Sequence, residues 1–270
     1  MATPVFYDTH AHLDFRDFAS DLDSVIARAG EAGIEKIVCI GTDFESSRGA
    51  LRIAEAHPNV FAAVGWHPSH VTEAPADIRA ELRELAVHLK VVAIGETGLD
   101  YYRLPSKQTG APPEDDERYK ARQAALFEQQ LEVAAELGLN VVVHQRDCLE
   151  EAIAQFTPYA DRVRAVFHCF ANDAATMCRI VDLGSLVSFT GILTFKNGQN
   201  IRDTLAATPM GSFMFETDCP YLAPVPFRGK RCEPAYVKHT AETAATVKHC
   251  TLEELSHATC ETAKGFFKRI

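Results

Sequence analysis

Short apolar runs recur along the chain, each followed by a longer stretch in which apolar and polar positions alternate with a helical period. The runs are VFYDTH, KIVCIG, VFAAVGW, VVAIGE, NVVVH, AVFHCF, LVSFTG and FMFETD, and most are apolar at nearly every position. A strand with one wet face alternates, whereas an unbroken apolar run is what a strand covered on both faces shows. Between the runs lie segments such as DLDSVIARAGEAG and KARQAALFEQQLEVAAELG. The second places Ala125, Leu126, Ala134 and Leu137 on its apolar side, with a lapse at Gln129 and a stop at Gly138. Eight alternations of strand and helix predict an α/β fold, a single (β/α)8 TIM barrel. The tail TLEELSHATCETAKGFFKRI predicts an extra C-terminal helix after the last repeat.

No linker or shift in composition divides the chain, so residues 1–270 read as one domain. The loop-like insertion is RLPSKQTGAPPEDDER, residues 103–118, rich in proline and charge. It follows the fourth strand and so overhangs one mouth of a barrel, as a tolerated surface excursion or as a substrate lid.

Composition narrows the class. The length suits one barrel of about 250 residues, and 47% hydrophobic with 24% charged residues describes an ordinary globular protein. No run approaches the roughly 18 apolar residues of a membrane span, and the first residues lack the basic-then-apolar order of a secretory signal. The eight cysteines have no CxxC spacing, and several (Cys39, Cys148, Cys169, Cys178) fall in apolar segments. This reads as reduced thiols in a cytoplasmic protein. A net charge of −10 argues against a broad electrostatic grip on nucleic acid and leaves room for a local one. Nothing calls for a membrane or an obligate protein partner.

The candidate chemistry sits where the apolar runs end. His10 and His12 flank one alanine on the first run, and positions i and i+2 of a strand point the same way. Glu96 closes the fourth run, His144 the fifth, His168 lies in the sixth and Asp218 closes the eighth. Catalytic groups of such barrels gather at the C-terminal strand ends. Singly, each has an ordinary structural role: Glu96 could bind a turn amide, His168 could be a satisfied core histidine, and Asp218 could cap a helix. Together, four histidines and two carboxylates in apolar surroundings require compensation, and buried charges are paired or bind metals. Six ligands exceed one tetrahedral zinc and suit two divalent ions sharing a carboxylate. The expected division is His10, His12 and Asp218 on the first ion, His144 and His168 on the second, and Glu96 between them. Mixed nitrogen and oxygen ligands admit zinc, manganese or magnesium.

DTHAHLD, GWHP, GETGLDYY, HQRD, HCF and ETDCPYLAPVPFRGKRCEP together resemble the TatD family of metal-dependent deoxyribonucleases, in order and over essentially the whole length. The resemblance implies a TIM-like barrel, a divalent-metal site and hydrolysis of DNA phosphodiesters, often as a 3′–5′ exonuclease on single strands. By position it implies the same six ligands. Cys219, Phe227 and Cys232 depart from the usual ETDSPYLAPVPHRGKRNEP, and Gln145 from the usual threonine or serine after the ligand histidine. None is a proposed ligand.

In the expected mechanism metal-activated water attacks phosphorus, and Asp218 is both ligand and proton acceptor, or a ligand alone. Substrate phosphates are expected on Arg228, Lys230 and Arg231 after the eighth run, and on Arg146 beside His144. His67 ends the third run and is expected to donate to phosphate or leaving group, or to buttress a ligand. Trp66, Tyr101 and Tyr102 could stack on bases or simply pack. Nucleic acid, chiefly single-stranded DNA with RNA as an option, is the expected substrate. The rival reading is a metal-dependent amidohydrolase or deacylase acting on C–N or ester bonds, such as those of aminoacyl-tRNA, on the same metal site.

Overall fold

The computed structural model describes residues 4–270. Eight strands follow one another around a parallel sheet in chain order: β1 (Phe6–Ala11), β2 (Ile34–Ile40), β3 (Val60–Val64), β4 (Val91–Asp100), β5 (Asn140–Arg146), β6 (Ala165–Phe167), β7 (Leu186–Phe189) and β8 (Phe213–Phe215). The seam between β8 and β1 is closed by residues just beyond β8. The Asp218 amide donates to His10 O and the His12 amide to Cys219 O, both at 2.9 Å. The expected (β/α)8 barrel is therefore the observed architecture.

Among the described residues, ten α-helices wrap the sheet or cap its ends: α1 (Leu22–Glu31), α2 (Phe44–Ala56), α3 (Arg79–Ala86), α4 (Pro105–Thr109), α5 (Pro113–Leu137), α6 (Leu149–Phe156), α7 (Ala174–Asp182), α8 (Gln199–Ala207), α9 (Val237–Lys248) and α10 (Leu252–Phe266). The apolar residues divide into two clusters by strand parity. Ile37, Cys39, Ala62, Val64, Val141, Val143, Phe213 and Phe215 face outward against the helices. Val38, Ile40, Ala63, Val92, Val142, Val166, Leu186 and Met214 come together from seven strands, which only the barrel interior permits. This explains why the strands lack alternation: both parities are buried. Phe266, at the end of α10, and the following Phe267 join the interior cluster, with the Phe266 carbonyl held by the Asn140 side chain at 2.7 Å. The extra C-terminal helix is thus a plug for the barrel end where β5 starts.

Residues 103–118 are not a loop. Pro105–Thr109 forms α4, the chain turns through Gly110 at φ 73°, and α5 starts at Pro113, upstream of the residues expected to be helical. Proline lacks only an N–H that the first helical turn leaves unpaired, and Glu114, Asp115 and Asp116 suit the positive end of the helix dipole. Proline and charge read as loop were helix-start signals. The buried face of α5 agrees with the sequence expectation at Leu126 and Ala134, with Leu137 packed against the core, and departs from it at Ala125. Ala125 is exposed, while Gln123, Leu126, Phe127, Gln130, Leu131 and Ala134 face inward. The buried glutamines serve backbone groups at strand ends. Gln130 bonds both the Trp66 amide (2.8 Å) and carbonyl (3.0 Å), and Gln123 bonds the Asp100 amide (3.0 Å) and carbonyl (3.1 Å).

No helix among the described residues is long and apolar enough to cross a membrane. All eight cysteines are free thiols.

Candidate metal centre

The six residues expected to be ligands converge at the C-terminal mouth of the barrel; five line a cavity of about 710 Å³, and His10 is fully buried beside them. β1 carries His10 and its continuation carries His12. β4 runs past Glu96 to Asp100, and its register with β5 shifts between Ile94 and Thr97, which turns Glu96 into the mouth. His144 lies on β5, His168 one residue beyond β6, and Asp218 three beyond β8 at φ 56°.

The inward-facing atoms form two overlapping sets. In the first, His10 Nε2 lies 3.2 Å from His12 Nε2, 3.6 Å from Asp218 Oδ1 and 3.4 Å from Glu96 Oε2; His12 Nε2 lies 3.5 and 3.7 Å from the same two oxygens. Ligands about 2.0–2.1 Å from a tetrahedral ion stand roughly 3.3 Å apart, so these four atoms already have the spacing of a coordination shell. In the second, Glu96 Oε1 lies 2.8 Å from His144 Nδ1, 2.8 Å from His168 Nε2 and 3.4 Å from His67 Nε2. His144 Nδ1 and His168 Nε2 are 3.3 Å apart. Glu96 therefore turns one oxygen to each set. His168 also belongs with the first, its ring stacked on His10 at 4.1 Å.

The outer nitrogens determine which inner nitrogens carry lone pairs. His12 Nδ1 faces the Ile40 carbonyl at 3.2 Å, His144 Nε2 faces Asp100 at 3.4 Å, and His168 Nδ1 faces Glu216 at 3.4 Å. A proton on each outer nitrogen leaves the inner one as an acceptor, the usual state of a ligating histidine. Neighbouring carboxylates raise the pKa values of His12, His144 and His168 despite burial, so the arrangement calls for positive charge among these atoms, carried by protons or by a metal ion. His10 Nδ1, His144 Nε2 and His168 Nδ1 are all buried without a hydrogen-bond partner, the last two facing their carboxylates at 3.4 Å. The donor set and its spacing fit divalent metal.

His67 has the opposite polarity. Its Nδ1 accepts from the Ser69 amide at 3.0 Å, which puts the ring proton on Nε2, pointing at Glu96. Burial lowers its pKa to about 4, so it stands as a neutral N–H donor near pH 7. The position of His67 in the mouth was legible in the sequence; its tautomer was not.

Burial opposes charge on Glu96, but the imidazoles of His168, His67 and His10 outweigh it and hold the carboxyl well below its ordinary range. For Asp218, too, burial is overcome, here chiefly by the His12 hydrogen bond. Burial disfavours a charged His168, yet Glu96 and Glu216 raise its pKa well above the ordinary value. Asp8 is different: burial drives its pKa up to about 8 against the opposing hydrogen bonds of Thr217. Asp8 accepts from the Thr217 amide at 2.9 Å and hydroxyl at 2.6 Å, anchoring the residue before Asp218 to β1.

Three supporting carboxylates escaped the sequence reading. Asp8 lies within VFYDTH, Asp100 within GLDYY and Glu216 within FETD, each a polar interruption of an apolar run, which was the available signal. Glu216 also takes the Ser188 hydroxyl (2.6 Å) and the Cys169 amide (2.7 Å).

The expected phosphate contacts separate. Arg146 lines the cavity. Arg228 and Lys230 are exposed outside it, with Arg228 lying over the Phe195 ring at 3.6 Å. Arg231 is drawn away altogether: its guanidinium makes two bonds to Asp21, at 2.8 and 2.7 Å, and one to the Asp17 carbonyl. Asp21 lies far away in sequence, so the attraction was invisible there. Trp66 is buried with its Nε1 donating to the His70 carbonyl at 2.9 Å, and Tyr101 packs against the core. Tyr102 is exposed beneath Arg146.

Residues 7–268 match the family described as TatD related DNase. An uncharacterized metal-dependent hydrolase of Bacillus subtilis, YabD, is 36% identical, over 98% of this chain and 99% of its own. The protein named 3′-5′ ssDNA/RNA exonuclease TatD of Erwinia amylovora is 34% identical, over 97% of this chain and 99% of its own. Among solved structures, the TatD homologue YjjV of Escherichia coli superposes with a TM-score of 0.86 at 28% identity, over 97% of this chain and 98% of that one.

Proposed function

The chain belongs to the TatD family of metal-dependent hydrolases, and we propose that it cleaves phosphodiester bonds at the 3′ end of single-stranded DNA or RNA with two divalent cations. The observation that carries the reading is the divided carboxylate of Glu96, one oxygen toward His10 and His12, the other toward His144 and His168. A carboxylate between two nitrogen sets suits a pair of ions, and paired ions serve displacement at phosphorus. The exonuclease name of the Erwinia relative points the same way. The free thiols favour a reducing, cytoplasmic setting.

His10, His12 and Asp218 would hold one cation, His144 and His168 the other, and Glu96 both. Bound there, divalent ions supply Lewis acidity: they lower the pKa of a water and neutralise phosphate charge. The chain supplies the rest. Asp218 turns Oδ1 to His10 and His12, leaving Oδ2 to accept the proton of the attacking water. His67, neutral and protonated on Nε2, turns that N–H toward Glu96 Oε1 and so orients the shared carboxylate. Asp100 and Glu216 hold the rings of His144 and His168 in the tautomers the site needs. Magnesium, manganese and zinc all suit the donors.

The test is digestion of single-stranded oligonucleotides labelled at either end by metal-stripped protein, with magnesium, manganese or zinc restored, beside His10→Ala and Asp218→Ala. Metal-dependent shortening from the 3′ end, lost in both variants, is the expected result. Stoichiometric metal with no cleavage of any oligonucleotide, but turnover of amides or aminoacyl esters, would overturn the nuclease reading.

A further inference from the structure

The cavity above the metal centre has two chemically different rims. On the β4–β5 side stand Arg103 and Arg146, both lining the cavity and both exposed. Several arginines elsewhere are paired with carboxylates (Arg28 with Glu233, Arg79 with Asp77, Arg179 with Glu150, Arg231 with Asp21), and others, such as Arg122 and Arg269, bond backbone carbonyls. The guanidinium groups of Arg103 and Arg146 have no hydrogen-bond or ion-pair partner among the described residues. The nearby carboxylate of Asp147 faces Lys107 instead, at 3.7 Å. Arg146 lies over Tyr102, its guanidinium carbon 3.6 Å from the ring centre. Stacking occupies the face of the guanidinium and leaves its edge, where the N–H donors are, directed outward.

On the opposite side the rim is aromatic. Phe15 stacks on His12 with centroids 4.7 Å apart and planes 18° from parallel, and Tyr221 meets Phe15 edge-on at 6.4 Å. Tyr221 is 56% exposed in a chain that buries nearly all its large apolar side chains. An acidic chain that keeps two guanidiniums unpaired at its active-site mouth, across from a bare aromatic ledge, is built for a ligand with anionic groups along one edge and flat rings along the other. A single nucleic-acid strand has that form.

We infer that this cleft grips the strand end asymmetrically: the base of the terminal nucleotide lies on the ledge of Tyr221 and Phe15, and the flanking phosphates lie on Arg103 and Arg146. The assignment rests on the nuclease reading above and extends it to a subsite. A cavity of about 710 Å³ is within the size of small-ligand sites, about 300–1,000 Å³. It takes a strand end rather than the flank of a helix, and a base must leave its stack to reach the ledge. Duplex ends should therefore be poorer substrates than single strands.

The experiment uses metal-loaded full-length protein, with Tyr221→Ala, Tyr221→Phe and the double variant Arg103→Ala/Arg146→Ala. Substrates are 5′-labelled oligonucleotides ending in adenine or in an abasic residue, and methyl p-nitrophenyl phosphate, a diester with neither base nor flanking phosphate. Stacking contributes about 5- to 150-fold per base. Tyr221→Ala should lose that much kcat/KM on the adenine-ended strand relative to the small diester, together with the preference over the abasic end. Tyr221→Phe should restore both. The double arginine variant should flatten the slope of log(kcat/KM) against log[salt] by about 1.4, roughly 0.7 for each single-strand phosphate that an arginine no longer neutralises. Equal losses on all substrates, or an unchanged salt slope, would overturn the subsite. Fluorescence anisotropy of the same strands on the same proteins separates the two readings. Binding that depends on Tyr221 without hydrolysis of any diester would sink the nuclease reading and keep the subsite. Hydrolysis of the small diester with binding indifferent to Tyr221 and both arginines would do the reverse.

Discussion

Glu96 meets His168 with Oε1 at 2.8 Å while its Oε2 faces His10 at 3.4 Å, so one carboxylate joins both histidine sets. Glu96→Gln keeps the shape and removes the charge that balances the cations. Metal content, read by plasma emission spectroscopy after gel filtration, should fall to about half or less. Turnover should fall at least as far as for a lost supporting residue at its strongest, about a hundredfold. Retention of the full metal complement would refute a shared ligand.

Asp218→Asn keeps an oxygen toward His10 and His12 but cannot accept a proton. If the residue serves as base as well as ligand, kcat should drop by about 10²–10⁴, with most of the metal retained. Loss of metal in proportion to activity would reduce Asp218 to a ligand alone.

Glu216 acts through His168, which it faces at 3.4 Å, while Ser188 and the Cys169 amide hold it in place. Glu216→Gln can present its N–H₂ to His168 and favour the wrong ring tautomer. Metal affinity should weaken about 10- to 100-fold, measured by competition with a chromogenic chelator. Far-ultraviolet circular dichroism should be unchanged. An unaltered affinity would leave Glu216 a purely structural residue.

Gly98 brings β4 against the ligand-bearing strand. At φ 130°, a Cβ there would meet the His144 carbonyl oxygen at 2.1 Å and its carbon at 3.0 Å. Gly98→Ala should destabilise the protein by about 3 kcal/mol or more and displace His144. Gly211, with open space where a Cβ would point, should tolerate alanine to within about 1 kcal/mol. Urea titrations of both variants make the comparison; equal midpoints would show that β4 can yield.

Asp21 gives a pH-dependent signal away from the site. Hydrogen bonds from Arg231, with smaller help from Arg28, lower its pKa from 3.8 to about 2. A carboxyl whose folded pKa is depressed stabilises the fold above its unfolded pKa and loses that contribution as pH falls toward the folded value. Wild type should therefore exceed Asp21→Asn in Tm by a few degrees at neutral pH, and the gap should close between about pH 4 and pH 2. A gap that persists at pH 2 would mean that the pair contributes through packing.

The strand periodicity and the placement of chemistry were determined by the sequence alone. Eight apolar runs between helical segments allow few arrangements other than a barrel, because strands buried on both faces need helices outside and one another inside. Polar residues at the ends of such runs can only meet at the mouth, which is why His10, His12, Glu96, His144, His168 and Asp218 could be named from the chain alone. What they do to one another needed the tertiary structure. The tautomer of His67 depends on the Ser69 amide, that of His12 on the carbonyl of Ile40, and that of His168 on Glu216. The diversion of Arg231 depends on Asp21, and the burial of Gln123 and Gln130 on α5 depends on strand ends that need their amides. A local pattern encodes which way a side chain points, because backbone period is local. Which partner it meets is decided across the barrel, by residues whose distance along the chain carries no trace of their distance in space.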